Sequence, residues 1–241
     1  MPRADAGGAR FVGSERLTFL WMVRRGLANP ASGLESAILL LRGKLFLAWC
    51  RIRGVRFRTG RGFRLAGRII VSGPGEVVLG DNVYINDPND PARFWTLAPD
   101  ARITIGSDTY MGATEFACLK EITVGERCIL ARAVILDTDG HSAQSDRRTN
   151  HHAPMRAIPV RIGNNVWIGR NVGILPGANI GDNSVVSFGA VCFREFPPNV
   201  IIVGNPAKVA APDPMPAAAP ADATAAPESG AARPMVEPLA R

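Results

Sequence analysis

The sequence predicts an all-β core, a parallel β-helix built from six-residue units, and three observations carry that prediction. An aliphatic residue recurs at every sixth position, at Ile162, Ile168, Ile174, Ile180 and Val186, without a gap. Four residues after each stands a small or β-branched one: Val166, Val172, Ala178, Ser184 and Ala190. Gly, Asn and Asp fill the places between, and the 25 glycines in 241 residues are more than a helical bundle would hold. A six-residue unit is too short for a helix and a loop, but it fits a short strand and a tight corner. One apolar side chain per unit points inward, a small one sits where the corner narrows, and Gly, Asn and Asp accept the corner's backbone angles. Three units close a triangular coil, and stacked coils bury a continuous column.

The pattern reaches upstream through Leu79-Gly80-Asp81-Asn82-Val83-Tyr84, Ile105-Gly106-Ser107-Asp108-Thr109-Tyr110 and Val124-Gly125-Glu126-Arg127-Cys128-Ile129. Two interruptions break it. Ile85 and Met111 are 26 residues apart, which predicts a bulge near Pro88–Trp95. Leu136 and Ile162 are also 26 apart, so the chain leaves the coil over 137–159. Long loops on a rigid repeat scaffold tend to carry function.

Around the β-helix domain, 59–210, the chain divides by composition. Residues 1–14 read as a flexible N-terminus and 15–58 as an amphipathic helical segment. Leu17, Leu20, Trp21 and Leu27, then Leu34, Ile38, Leu41 and Leu45, recur at helical spacing, and Asn29-Pro30 divides two helices. Two roles are open: capping the first coil, whose edge would otherwise be unpaired, or resting on a membrane surface with the arginines at the headgroups. Residues 211–241 are rich in Ala and Pro and are expected to be a disordered tail. Residues 1–75 hold 14 of the 28 basic residues against three acids, Asp5, Glu15 and Glu35, which suggests a phosphate-rich partner. The arm has no nucleic-acid reading motif and little aromatic interleaving, so nucleic acid is excluded as its main partner.

The most apolar stretch, Ala37 to Cys50, is interrupted by Arg42-Gly43-Lys44 and is too short to span a bilayer. Residues 1–13 lack the apolar run and cleavage site of a signal peptide, so a cytoplasmic protein is expected. The four cysteines show no paired spacing, which argues against a zinc ribbon or a disulfide framework. Cys118, Cys128 and Cys192 fall at in-repeat positions that suit buried packing. All three histidines, His141, His151 and His152, lie in the ejected segment. A neutral imidazole is the side chain best suited to take a proton from an alcohol near pH 7. His141 follows Asp137-Thr138-Asp139-Gly140, where the coil lets go.

Over roughly residues 75–209, and most closely over 160–209, the chain resembles the hexapeptide-repeat acyltransferases, and within them the branch acting on sugars and polysaccharides. The resemblance implies a left-handed coil, an exception to the usual right-handed crossover, and a homotrimer with coenzyme A in a groove between subunits. It implies acetyl-CoA as co-substrate, no metal, and direct transfer with His141 as general base. A backbone N–H near Gly169 or Arg170 would stabilise the oxyanion. Donor contacts are implied for Trp167, in Asn165-Val166-Trp167-Ile168-Gly169, and for Lys208, in Gly204-Asn205-Pro206-Ala207-Lys208. Gly169, Arg170 and Phe188 join them along the thiol arm, where Arg170 and Phe188 replace the small residues common in the family. Acceptor contacts are expected at Asp139, Glu115 and Thr114, with a corner-turn role equally open for Asp139 and a plain corner position open for Glu115. Met111-Gly112-Ala113-Thr114 lacks the Asn of the maltose and galactoside enzymes, which weakens those two acceptors.

The function implied is O-acetylation of a sugar hydroxyl in a bacterial surface polysaccharide, lipopolysaccharide or exopolysaccharide, free or lipid-linked. An amino sugar, amino acid or xenobiotic acceptor is the alternative within the enzyme class. A carbonic anhydrase of the same fold would need three histidines from separate coils, and a non-catalytic scaffold would not need the set His141, Trp167 and Lys208.

Overall fold

The computed structural model describes residues 30–142, 144–146, 148–150 and 155–210. The expectations for 1–14, for the helix before Pro30, for 211–241 and for His151 and His152 lie outside the described residues.

The repeat folds into a three-sided parallel β-helix that begins at Phe57. Sheet A stacks Phe57–Thr59, Glu76–Leu79, Arg102–Ile105, Glu121–Val124, Val160–Ile162, Asn179–Ile180 and Glu195–Phe196. Sheet B stacks Arg64–Leu65, Tyr84–Ile85, Tyr110–Met111, Ile129–Leu130, Trp167–Ile168, Val185–Val186 and Ile201–Val203, and Lys208–Val209 closes it antiparallel. Sheet C stacks Ile69–Ser72, Ala92–Thr96, Glu115–Cys118, Val134–Leu136, Gly173–Ile174 and Val191–Cys192. The chain visits A, B and C in turn and then rises to the next coil.

Register turns the six-residue period into a core. In sheet B, Leu65, Ile85, Met111, Leu130, Ile168, Val186 and Ile202 stand opposite one another and are all buried. In sheet C the buried column is Phe94, Phe116, Ile135, Ile174 and Cys192. Burying such side chains contributes about 1.5–3 kcal/mol each. The small residues Val166, Val172, Ala178, Ser184 and Ala190 are buried at the corners, as the spacing predicts.

The corner between sheets A and B repeats one backbone conformation. Asn82, Asp108, Arg127, Asn165, Asn183 and Asn199 all have φ between 54° and 60°. The asparagines also ladder: Asn82 donates to Asp108 at 3.0 Å, Asn165 to Asn183 at 2.9 Å and Asn183 to Asn199 at 3.1 Å. Arg127 alone in this column has neither the short polar side chain nor the freedom of glycine that suits φ > 0.

One interruption differs from its sequence expectation. Residues 92–96, expected to bulge out, form a full strand of sheet C with Phe94 in the core. The extra residues are divided between two lengthened corners, 86–91 and 97–101, because the alternation of Ala92, Phe94 and Thr96 suits a strand with one face inside.

One helix, α1 (Pro30–Ile52), covers the first coil. Pro30 supplies a first-turn position that needs no N–H donor. The helix ends in a Schellman turn: Gly54 (φ 66°) donates to the Arg51 carbonyl at 3.2 Å, and Val55 donates to the Cys50 carbonyl at 2.9 Å. Its inner face carries Gly43, Phe46, Leu47 and Cys50. Phe46 meets Phe57 edge-on at 5.1 Å, Phe57 meets Phe94, and Phe94 stacks on Phe116, so an aromatic chain ties the cap to the core. Capping, one of the two roles open from the sequence, is therefore observed; the outer face of α1 is taken up below.

Two outcomes follow for stability. Arg127→Asn removes the strain of a long side chain at φ 56° and offers the ladder its absent member, so thermal unfolding should show a gain of about 1 kcal/mol. Gly43→Val places a Cβ within 2.8 Å of the Phe63 carbonyl oxygen, so the same measurement should show a loss of about 1–3 kcal/mol.

Candidate functional site

Outward positions of sheet B are not needed by the core, and four coils up they build a cleft. Trp167 and Val185 face each other in register on adjacent strands. The corner from sheet B to sheet C adds Gly169, Arg170, Ser187 and Phe188, and Ala131 enters from the coil before. The cleft holds about 370 Å³, and Trp167 and Phe188 stand well out of the core beside it. A Cβ on Gly169 would come within 2.9 Å of the Val186 carbonyl oxygen, so this glycine allows the coils to stack. Its N–H is already committed to that carbonyl at 2.8 Å and is not free for an oxyanion. The Arg170 N–H, the other candidate, has no partner among the described residues.

Lys208 sits on the closing strand, exposed and opposite Val203. Sheet B runs from the Trp167 strand through Val185 and Ile201 to Lys208, three strand spacings, so the cation lies about 14 Å along from the indole. An apolar cleft with a cation further along suits a long, flexible ligand with an apolar reactive arm and an anionic far end.

His141 belongs to a different edge. The ejected segment leaves between sheets C and A, and its two ends are fastened by an antiparallel stem. Ile158 donates to the Asp137 carbonyl at 2.8 Å, Asp139 donates to Arg156 at 3.4 Å, and Thr138 bridges Ala157. At the root lies Asp137, fully buried. Its carboxylate accepts the backbone N–H groups of Leu119, Lys120 and Glu121 at 2.7, 2.7 and 2.6 Å. A carboxylate out of water is tolerated here because three donors converge on it. Asp139, Gly140 and His141 then emerge exposed, with Gly140 at φ 71°. The excursion and the cleft occupy the same level of the prism, but on neighbouring edges.

Two expected acceptor residues fall elsewhere. Thr114 is fully buried, in the corner slot that Val172 and Ala190 occupy in later coils, so it cannot touch an acceptor. Its Oγ1 has no hydrogen-bond partner among the described residues. Glu115 lies on the outer face of sheet C, in register between Arg93 and Val134, away from the corner residues that line the cleft.

Sequence reasoning missed the Asp87–Arg132 pair. Arg132 grips the nearly buried Asp87 carboxylate through Nε at 2.8 Å and a terminal nitrogen at 3.1 Å, and holds Asp90 at 2.6 Å. It thus pins the lengthened corner 86–91 two coils away. The Arg132 hydrogen bonds, with backbone donors from Asp90 and Asn89, hold the Asp87 carboxyl well below the usual carboxylate range. The only signal was an arginine in a corner unit, Ala131-Arg132-Ala133. The cysteines are inert: burial pushes the Cys118 and Cys192 thiols up to about 12, with the Asp137 charge adding to the effect at Cys118. No cluster of metal-ligating side chains occurs among the described residues.

Comparison with known proteins agrees with this architecture. The family model of the bacterial transferase hexapeptide (six repeats) matches residues 159–194. Galactoside O-acetyltransferase of Escherichia coli K12 is 32% identical over 174 residues, covering 69% of this chain and 84% of that protein. The putative colanic acid biosynthesis acetyltransferase WcaF of the same organism is 32% identical over 132 residues, covering 54% of this chain and 66% of its own. In fold, the chain is similar to AntD, an N-acyltransferase from Bacillus cereus, with a TM-score of 0.54 at 19% identity over 66% of this chain and 85% of that one.

The geometry makes two predictions. Thr114→Val removes an unpaired buried hydroxyl without changing shape, so stability should hold or rise by about 1 kcal/mol. The acceptor KM should not move; a rise would return Thr114 to the acceptor site. Arg132→Gln should lower the Tm at neutral pH by leaving Asp87 without its cation. Because the folded-state carboxyl titrates lower than the unfolded one, that contribution is present above about pH 4 and is lost as pH falls through the folded pKa. Tm values of the two proteins should therefore converge in acid.

Proposed function

The chain belongs to the bacterial hexapeptide-repeat transferases and is an acetyltransferase, and from that membership we propose that it O-acetylates a sugar hydroxyl of a bacterial surface polysaccharide or its precursor. Acetyl-CoA supplies an acetyl thioester. The observation that carries the proposal is the placement of His141 and the cleft at one level on neighbouring edges. Packing such prisms side by side as a cyclic homotrimer brings the histidine of one subunit to the cleft of the next.

In this reading the apolar walls formed by Trp167, Val185 and Phe188 hold the pantetheine arm and keep water from the thioester, and Lys208 faces the nucleotide phosphate. His141 takes the proton of the acceptor hydroxyl as its oxygen attacks, and returns it to the departing sulfur. The N–H of Arg170, without a partner among the described residues, meets the carbonyl oxygen as negative charge builds there. Asp137, through its three backbone bonds, fixes the root from which Asp139 and His141 reach the acceptor. The similarity to a galactoside O-acetyltransferase and to WcaF supports a sugar as acceptor.

Saturating acetyl-CoA, at about 100 times its dissociation constant, should stabilise the wild type and His141→Ala alike by roughly 2.7 kcal/mol in a thermal-shift assay. His141→Ala should lose about 10²–10⁴-fold in acetyl transfer. The absence of a shift in both proteins would remove the donor cleft from the reading. Ser187→Trp, which fills the cleft, should be inactive alone. Co-refolding it with His141→Ala should restore activity if each site draws on two subunits, and should restore none if the site lies within one chain.

A further inference from the structure

The helix α1 has two apolar faces, and the fold uses one. The inner face meets the first coil through Gly43, Phe46, Leu47 and Cys50. On the opposite side Leu34, Ile38, Leu41, Leu45, Trp49 and Ile52 follow one another at spacings of three and four, and all are open to solvent, from 47% for Trp49 to 84% for Ile52. At 100° per residue they form a single stripe along the helix. The same projection places Lys44 and Arg51 along one border of the stripe and Arg42 and Arg53 along the other, all four exposed. Arg53 lies over the Trp49 ring at 6.0 Å, and Arg42 also donates to the Gly67 carbonyl at 3.3 Å. Glu35, the only acid in the helix, is exposed on the same border as Arg42 and Arg53, so that border carries two cations against one acid and the other two cations alone.

An apolar stripe between two rows of cations, with tryptophan within it, fits a surface that is apolar inside and anionic at its boundary. We propose that α1 lies in the interface of an anionic phospholipid bilayer, with the stripe among the acyl chains and the four cations at the phosphates, and so fastens the N-terminal end of the β-helix to the membrane. Other occupants fit the charge less well. A second copy of α1 would set cationic borders against cationic borders. The chain before the helix, residues 1–29, carries five arginines against Asp5 and Glu15, and so has the same sign. It would reinforce the attraction of an anionic surface, to which each Lys or Arg adds about fivefold. No helix among the described residues is long and apolar enough to cross a membrane. The inference does not depend on the identity of the acceptor.

The test is co-sedimentation of the full chain with vesicles of phosphatidylcholine alone and of phosphatidylcholine with roughly one-third phosphatidylglycerol. The wild type should partition at least tenfold more strongly to the anionic vesicles. Leu41→Ser/Leu45→Ser should lose that binding, and so should the independent pair Leu34→Ser/Ile38→Ser. Both pairs are solvent-exposed, so their Tm should match that of the wild type. Lys44→Glu/Arg51→Glu should weaken binding by more than tenfold. Three results would each overturn the proposal: wild type left in the supernatant with both vesicles, stripe variants that bind as well as wild type, or loss of self-association in the stripe variants by sedimentation velocity without loss of lipid binding.

Discussion

Everything in this molecule depends on stacking in register. Each coil places an aliphatic side chain over its counterpart in the coil below, and the backbone hydrogen bonds that hold the stack also fix which residues face outward. Leu130, Ile168 and Val186 line up inside sheet B, and their neighbours Ile129, Trp167 and Val185 must therefore line up outside. The cleft is the outer image of the core column. Moving the pattern by one residue would invert both together.

The same constraint explains which parts were legible in the sequence. The period over 162–191 and the excursion at 137–159 are local patterns, and both were read directly. Thr114 is expected at the acceptor from the resemblance, but counted by period it is the equivalent of Val172 and Ala190, a buried corner slot. The strand Ala92–Thr96 was misplaced because an insertion of eight residues can be divided between two corners, and spacing alone reports only the total. Asp87 and Arg132 could not be paired from the sequence, since they are 45 residues apart and meet only because coils rise one upon another. Nor could the sequence assign the two faces of α1, because an apolar residue at helical spacing looks the same on either side.

Charge is distributed with the same economy. Buried carboxylates are costly; the fully buried one at Asp137 survives on three backbone donors, while the nearly buried Asp87 uses a guanidinium. Neither is in the cleft. Each fixes a departure from the regular coil, Asp137 the long excursion and Asp87 the lengthened corner, so the buried charges mark where the scaffold gives way to irregular chain. The cysteines, by contrast, serve as small apolar side chains, with Cys192 taking an aliphatic residue's place in the sheet C column.

The stem at the root of the excursion has a consequence of an evolutionary kind. Because Asp137 and Ile158 are joined there, the coils above and below meet as though nothing intervened, and the prism does not register what lies between the joined ends. Closing a longer or shorter flexible segment across a fixed gap changes the entropy only with the logarithm of its length. The excursion therefore behaves as an exchangeable module. Its length and sequence beyond Asp137–His141 can drift while the column of aliphatic residues continues undisturbed beneath it.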